Sequence, residues 1–172
     1  EDNVAIADVD IVNPYFRTKD SKQDLENRGI TLISSEYAGT NVDIPAMPQQ
    51  MYAIIDNKDC KAIIDVGGDD RGALALGRII PAITQENDYE MLFVINCYRP
   101  LTRDAESALE VMREIEDACK CKFTAIVNNS NLGNETTEED VLKSVEYAEE
   151  VSRITGLPIK CTCVYGKIYD SI

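Results

Sequence analysis

Val4-Ala5-Ile6-Ala7-Asp8-Val9-Asp10-Ile11-Val12-Asn13-Pro14-Tyr15-Phe16-Arg17 is an apolar run that stops at two aspartates one residue apart. That pattern predicts a buried strand delivering carboxylates to its carboxyl end. Side chains at i and i+2 of a strand share a face, so Asp8 and Asp10 point the same way if the strand persists through both. Two close like charges cost free energy unless a cation or a shared proton relieves them. A divalent metal, a metal–phosphate complex or a water to be activated would supply that relief.

The same kind of apolar run recurs along the chain. Strands are predicted over 3–8, 30–34, 62–66, 91–96, 123–128 and 159–164. Several are continuously apolar, as strands of a parallel sheet covered on both faces should be. Between them lie amphipathic stretches. From Thr102, Ala105, Ala108, Leu109, Met112, Ile115 and Cys119 recur at helical spacing, with Asp104 and Glu106 in the expected first turn. A Thr136-x-x-Glu139 capping box opens a second helix carrying Val141, Leu142, Val145, Ala148, Val151 and Ile154, which Gly156 and Pro158 should end. Weaker helical patterns cover 49–57 and 72–84, the latter limited or kinked by Pro81. Strand–helix–strand order of this kind implies right-handed crossovers and an α/β fold, three-layered, with a mostly parallel sheet flanked by helices. No linker or repeat is visible, so 1–172 is read as one domain; the loop over 36–48 is read as a mobile element.

Composition narrows the function. The 172 residues suffice for a substantial core. No apolar run approaches the roughly 20 residues that cross a bilayer. A net charge of −14 disfavours sequence-independent binding to nucleic acid or to an anionic membrane. With no histidine, chemistry must come from carboxylates, Lys, Ser/Thr, Tyr, Cys or a metal. Six cysteines without a recognisable secretory leader suggest reduced thiols and a cytoplasmic location. A strand beginning this close to Glu1 suggests that a covering segment precedes it.

In a parallel sheet, ligands bind beyond the carboxyl ends of the strands. Those ends would carry Asp8, Asp10 and Asn13; Asp65 with Gly67-Gly68-Asp69-Asp70; Asn96-Cys97-Tyr98-Arg99; and Asn128-Asn129-Ser130-Asn131. Acids on early strands and amides on a later one suit a metal–phosphate group at one end and a hydrogen-bonding heterocycle at the other. An apolar strand closing on Asp65 and then glycines is Walker-B-like: the aspartate can hold Mg²⁺, and the glycines let the backbone approach a phosphate.

On these motifs the chain resembles the ParA/MinD-like group of P-loop NTPases, which includes the CobQ/CobB-type nucleotide-binding domains. VAIADVDIVNPYF is similar to that group's second aspartate motif, AIIDVGGDDRGALALGR to its Walker B strand and switch loop, and LFVINCYRP and FTAIVNNSNLGNETT to its later strands. The resemblance implies a P-loop NTPase-like fold and a dimeric, nucleotide-switched ATPase that hydrolyses ATP with Mg²⁺ and acts on a protein partner. It implies that Asp10 activates the attacking water, that Asp8 and Asp65 serve the metal, that Gly67 and Gly68 lie by the γ-phosphate, and that Asn128 and Asn129 face the base. One departure matters: Gly-x-x-x-x-Gly-Lys-[Ser/Thr] does not occur in 1–172, so the first strand, P-loop and helix are expected ahead of Glu1 and ATP binding by this chain alone is expected to be weak.

Other readings remain open on the same residues. The Asp8/Asp10 pair can be a solvated strand end, the asparagines turn formers, and Asp69 and Asp70 helix caps. A chain lacking its P-loop could be a nucleotide-independent binding or scaffold module of the same fold. Asp8-x-Asp10 also matches the opening of haloacid-dehalogenase-like phosphatases, with Asp8 the nucleophile and Asp10 the acid/base, and with Ser34 or Ser35, Lys58 or Lys61, and Gly68-Asp69-Asp70 as later motifs. Two Cys-x-Cys pairs, Cys119/Cys121 and Cys161/Cys163, can complete a Cys₄ zinc or iron–sulfur site, or serve as small buried hydrophobes in helix and strand.

Overall fold

The computed structural model describes residues 3–9, 21–34, 49–57, 59–68 and 70–172. They form two compact units, Glu1–Asp88 with Ala118–Lys120, and Tyr89–Asp117 with Cys121–Ile172. The α/β class expected from the sequence is present, as two three-stranded parallel sheets flanked by helices, one in each unit. No helix among the described residues is long and apolar enough to cross a membrane.

The first unit runs β1 (Asn3–Asp8), α1 (Lys22–Asn27), β2 (Thr31–Ser34), α2 (Gln49–Asp56), β3 (Cys60–Asp65), α3 (Asp70–Gly77) and α4 (Ile80–Glu86). β1 lies in the middle, between β2 and β3. Its Ala5 and Ala7 and the following Val9 are buried, and Asp8 is 5% exposed. β3 is apolar yet more open than its sequence suggests, with Ile63 54% exposed. The expected helix over 72–84 is divided at Arg78–Ile79, and Pro81 sits in the first turn of α4, where its missing N–H costs nothing. A Cβ added at Gly72 would lie 2.4 Å from the Gly67 carbonyl oxygen. The first turn of α3 therefore lies directly against the loop leaving β3, and only glycine fits there.

The second unit runs β4 (Leu92–Ile95), α5 (Ala105–Cys119), β5 (Ala125–Asn128), α6 (Glu138–Thr155) and β6 (Ile159–Thr162), with β5 central. Phe93, Ile95 and Ile126 pack against Ala105, Ala108 and Met112 of α5 and Ala148 and Val151 of α6. The Phe93 and Phe123 rings add a tilted contact at 4.9 Å. Each large side chain buried this way contributes about 1.5–3 kcal/mol. The opposite parity of β4 is open, with Leu92 37% and Val94 56% exposed.

The helix ends show how local chemistry sets boundaries. α5 begins after Asp104, which stands outside the first turn and accepts a hydrogen bond from the Ser107 N–H at 2.9 Å. A 3₁₀ turn, Pro100–Thr102, occupies the start expected for this helix. The cap of α6 is shifted by one residue from the Thr136-x-x-Glu139 expectation. Thr137 and Asp140 form the reciprocal box, Asp140 N–H donating to Thr137 Oγ1 at 3.2 Å and Thr137 N–H to Asp140 Oδ2 at 2.9 Å. Thr136 is engaged elsewhere: its hydroxyl donates to the Gly133 carbonyl and accepts from the Leu132 N–H. Gly156 closes α6 with a left-handed backbone, φ 75°, as its position foretold.

The capping register gives a direct test. Thr137→Ala is expected to cost about 1 kcal/mol, and Thr136→Ala to act on the preceding loop without changing α6 helicity; urea unfolding followed by far-UV circular dichroism separates the two.

Candidate functional site

Parallel pairing places all carboxyl ends of a sheet on one side. In the first unit, the register of β1 with β3 runs from Asn3 opposite Cys60 to Asp8 opposite Asp65. The Val9 N–H continues the ladder, donating to the Asp65 carbonyl at 2.8 Å. In-register residues on neighbouring strands project to the same face, roughly 4.8 Å apart along the hydrogen-bonding direction. Asp8 and Asp65 are therefore carboxylates side by side at the end of the sheet, Asp8 buried and Asp65 exposed. Gly67 and Gly68 follow after Val66; around Gly68 a Cβ would meet open space. Two carboxylates beside an open backbone suit a Mg²⁺ that keeps several waters and takes its other ligands from a phosphate. No group of three or more candidate ligands occurs among the described residues. Asp10 and Asn13, the loop expected over 36–48, and Ser35, Lys58 and Asp69 lie outside the described residues.

In the second unit, the ends of β4 and β5 are knitted by side chains. Asn128 is fully buried. Its amide nitrogen donates to Ser144 Oγ at 2.9 Å and to the Ser144 carbonyl at 3.1 Å, while its amide oxygen accepts the Ser130 N–H at 3.2 Å. Ser130 Oγ in turn accepts the Cys97 N–H at 3.0 Å. The Asn128 amide is thus consumed within the fold, joining β5 to α6 and to the loop after β4. The sequence reading did not include Ser144; a serine among Val141, Ala148 and Val151 on the apolar face of α6 is the signal that marks it.

The exposed amides lie one step further on. Asn129, Asn131, Gly133, Asn134 and Thr136 from the β5–α6 loop face Cys163, Val164 and Tyr165 after β6 around an open pocket of about 230 Å³. Asn131 Nδ2 donates to the Asn129 carbonyl at 2.7 Å, and the Tyr165 hydroxyl donates to Asn134 Oδ1 at 3.2 Å. The Lys167 ammonium stands 5.6 Å from the Tyr165 ring centre. Pockets that enclose a whole small molecule usually measure roughly 300–1,000 Å³. This one fits a part of a ligand, such as one planar heterocycle against an aromatic ring and amide edges. Asn129 belongs to it; Asn128 lies beneath it. The β6 side of the pocket was not foreseen, although an aromatic residue just past the last strand is a visible cue.

Tyr98 braces the same end of the sheet. Its hydroxyl donates to Asp140 Oδ1 at 3.1 Å, at the N-terminus of α6. Burial first, and the hydrogen bond to Asp140 second, push the phenol up to about 12. The Asp140 carboxyl is held below its ordinary range, first by the Thr137 hydroxyl and then by the Thr137 N–H.

No protein-family profile, curated protein or solved structure matches the chain.

Two outcomes follow from this geometry. Asn128→Ala removes the hydrogen-bond partner of Ser144 Oγ, the Ser144 carbonyl and the Ser130 N–H and is expected to cost roughly 2–3 kcal/mol, measured by urea unfolding. Tyr98 holds its proton more tightly when folded, so its contribution is complete below pH 10 and is lost as the pH rises towards 12. Tyr98→Phe should flatten the alkaline loss of stability over that window, read from urea midpoints at each pH.

Proposed function

We propose that this chain is part of a ParA/MinD-like, P-loop NTPase-type ATPase, a nucleotide-switched cytoplasmic protein that works as a homodimer on a protein partner. The observation that carries the reading is the register of β1 with β3, which sets Asp8 beside Asp65 at the carboxyl ends of parallel neighbours. In this reading Asp65 holds Mg²⁺ through water and Asp8 supports the metal's surroundings. Asp10 orients the attacking water, and Gly67 and Gly68 lie by the γ-phosphate. Within the second unit Asn129 lines the amide pocket and Asn128 fixes the loop that carries it; by the resemblance these two are the residues that would read a base. Protein carboxylates alone bind Mg²⁺ weakly; the phosphates supply the remaining ligands, which is why two acids suffice.

The glycine–lysine phosphate cradle is not among residues 1–172. In this reading ATP hydrolysis requires such a cradle. In the polypeptide of the complete reading frame, Asp10→Ala and Asp65→Ala are each expected to abolish Mg²⁺-dependent ATP hydrolysis, with circular dichroism unchanged. Turnover at the unmutated rate in both variants would overturn the assignment. Hydrolysis of a phosphomonoester by residues 1–172, lost in Asp8→Asn, would favour the phosphatase reading instead.

A further inference from the structure

We propose that Cys161 and Cys163 form a two-thiolate site for a soft, low-coordinate cation, Cu(I), on the open face of the second unit's sheet. The inference does not rest on the nucleotide reading, although Cys163 also lines the amide pocket. It begins with a register shift. Ile159 pairs with Ile126, but Cys161 pairs with Val127 and Thr162 with Asn128, so Lys160 is an extra residue in β6. One extra residue flips every following side chain to the other face. Without it, Cys161 would continue the parity of Ile159 and enter the core; with it, Thr162 turns inward towards Asn128. Both cysteines are exposed. Bulges are used in just this way, to re-aim side chains at functional positions.

The strand geometry continues through the pair, since the Cys163 N–H donates to the Asn128 carbonyl at 2.8 Å. Two residues of strand span about 6.6 Å, with side chains parallel. A disulfide needs Cβ atoms about 3.5–4.5 Å apart, so the pair does not close on itself without bending the strand. Both side chains are exposed on one face, and the choice of χ1 rotamer lets the two sulfurs lean towards one another. A metal held between two sulfurs, at the roughly 2.3 Å of a zinc–thiolate bond, bridges up to about 4.6 Å. Zinc and iron–sulfur sites take about four ligands. Cys119 and Cys121 are buried, and Cys121 Sγ donates to the Tyr89 hydroxyl at 3.7 Å. Among the described residues no third His, Cys, Asp or Glu joins a set. Two soft donors alone select a soft cation content with two ligands, and Cu(I) is the common one. Binding converts two thiols to thiolates and releases two protons to solvent, so affinity rises with pH.

The test uses the 172-residue chain, reduced and anaerobic, with Cu(I) supplied as its acetonitrile complex and competed against bicinchoninate. One Cu(I) per chain is expected. Either Cys161→Ser or Cys163→Ser should weaken it by roughly 100-fold, the upper end of what even an outer-shell loss costs a metal site, while Cys60→Ser retains it. Unchanged far-UV circular dichroism will show that the exposed substitutions leave the fold in place. Failure of the parent chain to compete, retention of Cu(I) by the double serine variant, or a stoichiometry of one ion per two chains would each overturn the assignment.

Discussion

Parallel pairing in a fixed register is the constraint on which the rest of this structure depends. Parallel neighbours cannot be joined by a tight turn, so each connection must cross back, and here helices make those crossings. The carboxyl ends then collect on one side of each sheet, together with the loops that leave them. In the first unit a one-residue slip of β3 against β1 would set Asp65 beside Ala7 or Val9 and turn it to the other face. The pairing of two acids is thus written into backbone hydrogen bonds rather than into any contact between the carboxylates themselves.

The second unit uses a different device at the same structural position. Asn128, Ser144 and Ser130 form a buried chain of hydrogen bonds that spans strand, helix and loop. Among the described residues no buried side-chain nitrogen or oxygen lacks a partner. A network so completed makes a rigid floor, because breaking one member strands the others in a low dielectric. The pocket-lining Asn129 and Asn131 stand on that floor. Positioning of this kind explains why adjacent asparagines in the sequence have different roles: one anchors, the next is presented.

Much of the secondary structure was legible because hydrophobic periodicity is a direct record of burial. β1, β4, β5, α5 and α6 all carry it; Gly156 marked the end of α6, and Pro81 the division between α3 and α4. α1 was not legible, since its six residues bury nothing and so leave no periodic trace. The α6 cap was displaced because Thr136 and Thr137 are chemically equivalent on paper, and only the loop geometry decides which hydroxyl is free to cap. Cys161 and Cys163 illustrate the same limit. Alternation correctly put them on one face, but the extra Lys160 decided which face, and bulges leave little mark on composition. The acid pair was legible as two motifs, not as a register.

The open apolar positions have a colloidal consequence. Ile63 on β3 and Val94 on β4 are exposed aliphatic side chains on strands that have one paired neighbour each among the described residues. Exposed strand edges are templates for stacking of one molecule on the next. What holds copies apart at neutral pH is their mutual repulsion at a net charge of −14. That barrier vanishes near the isoelectric point of about 4.3, and high salt shortens its reach to a few ångströms. The acidity thus opposes self-association, most strongly in mildly alkaline, low-salt buffers.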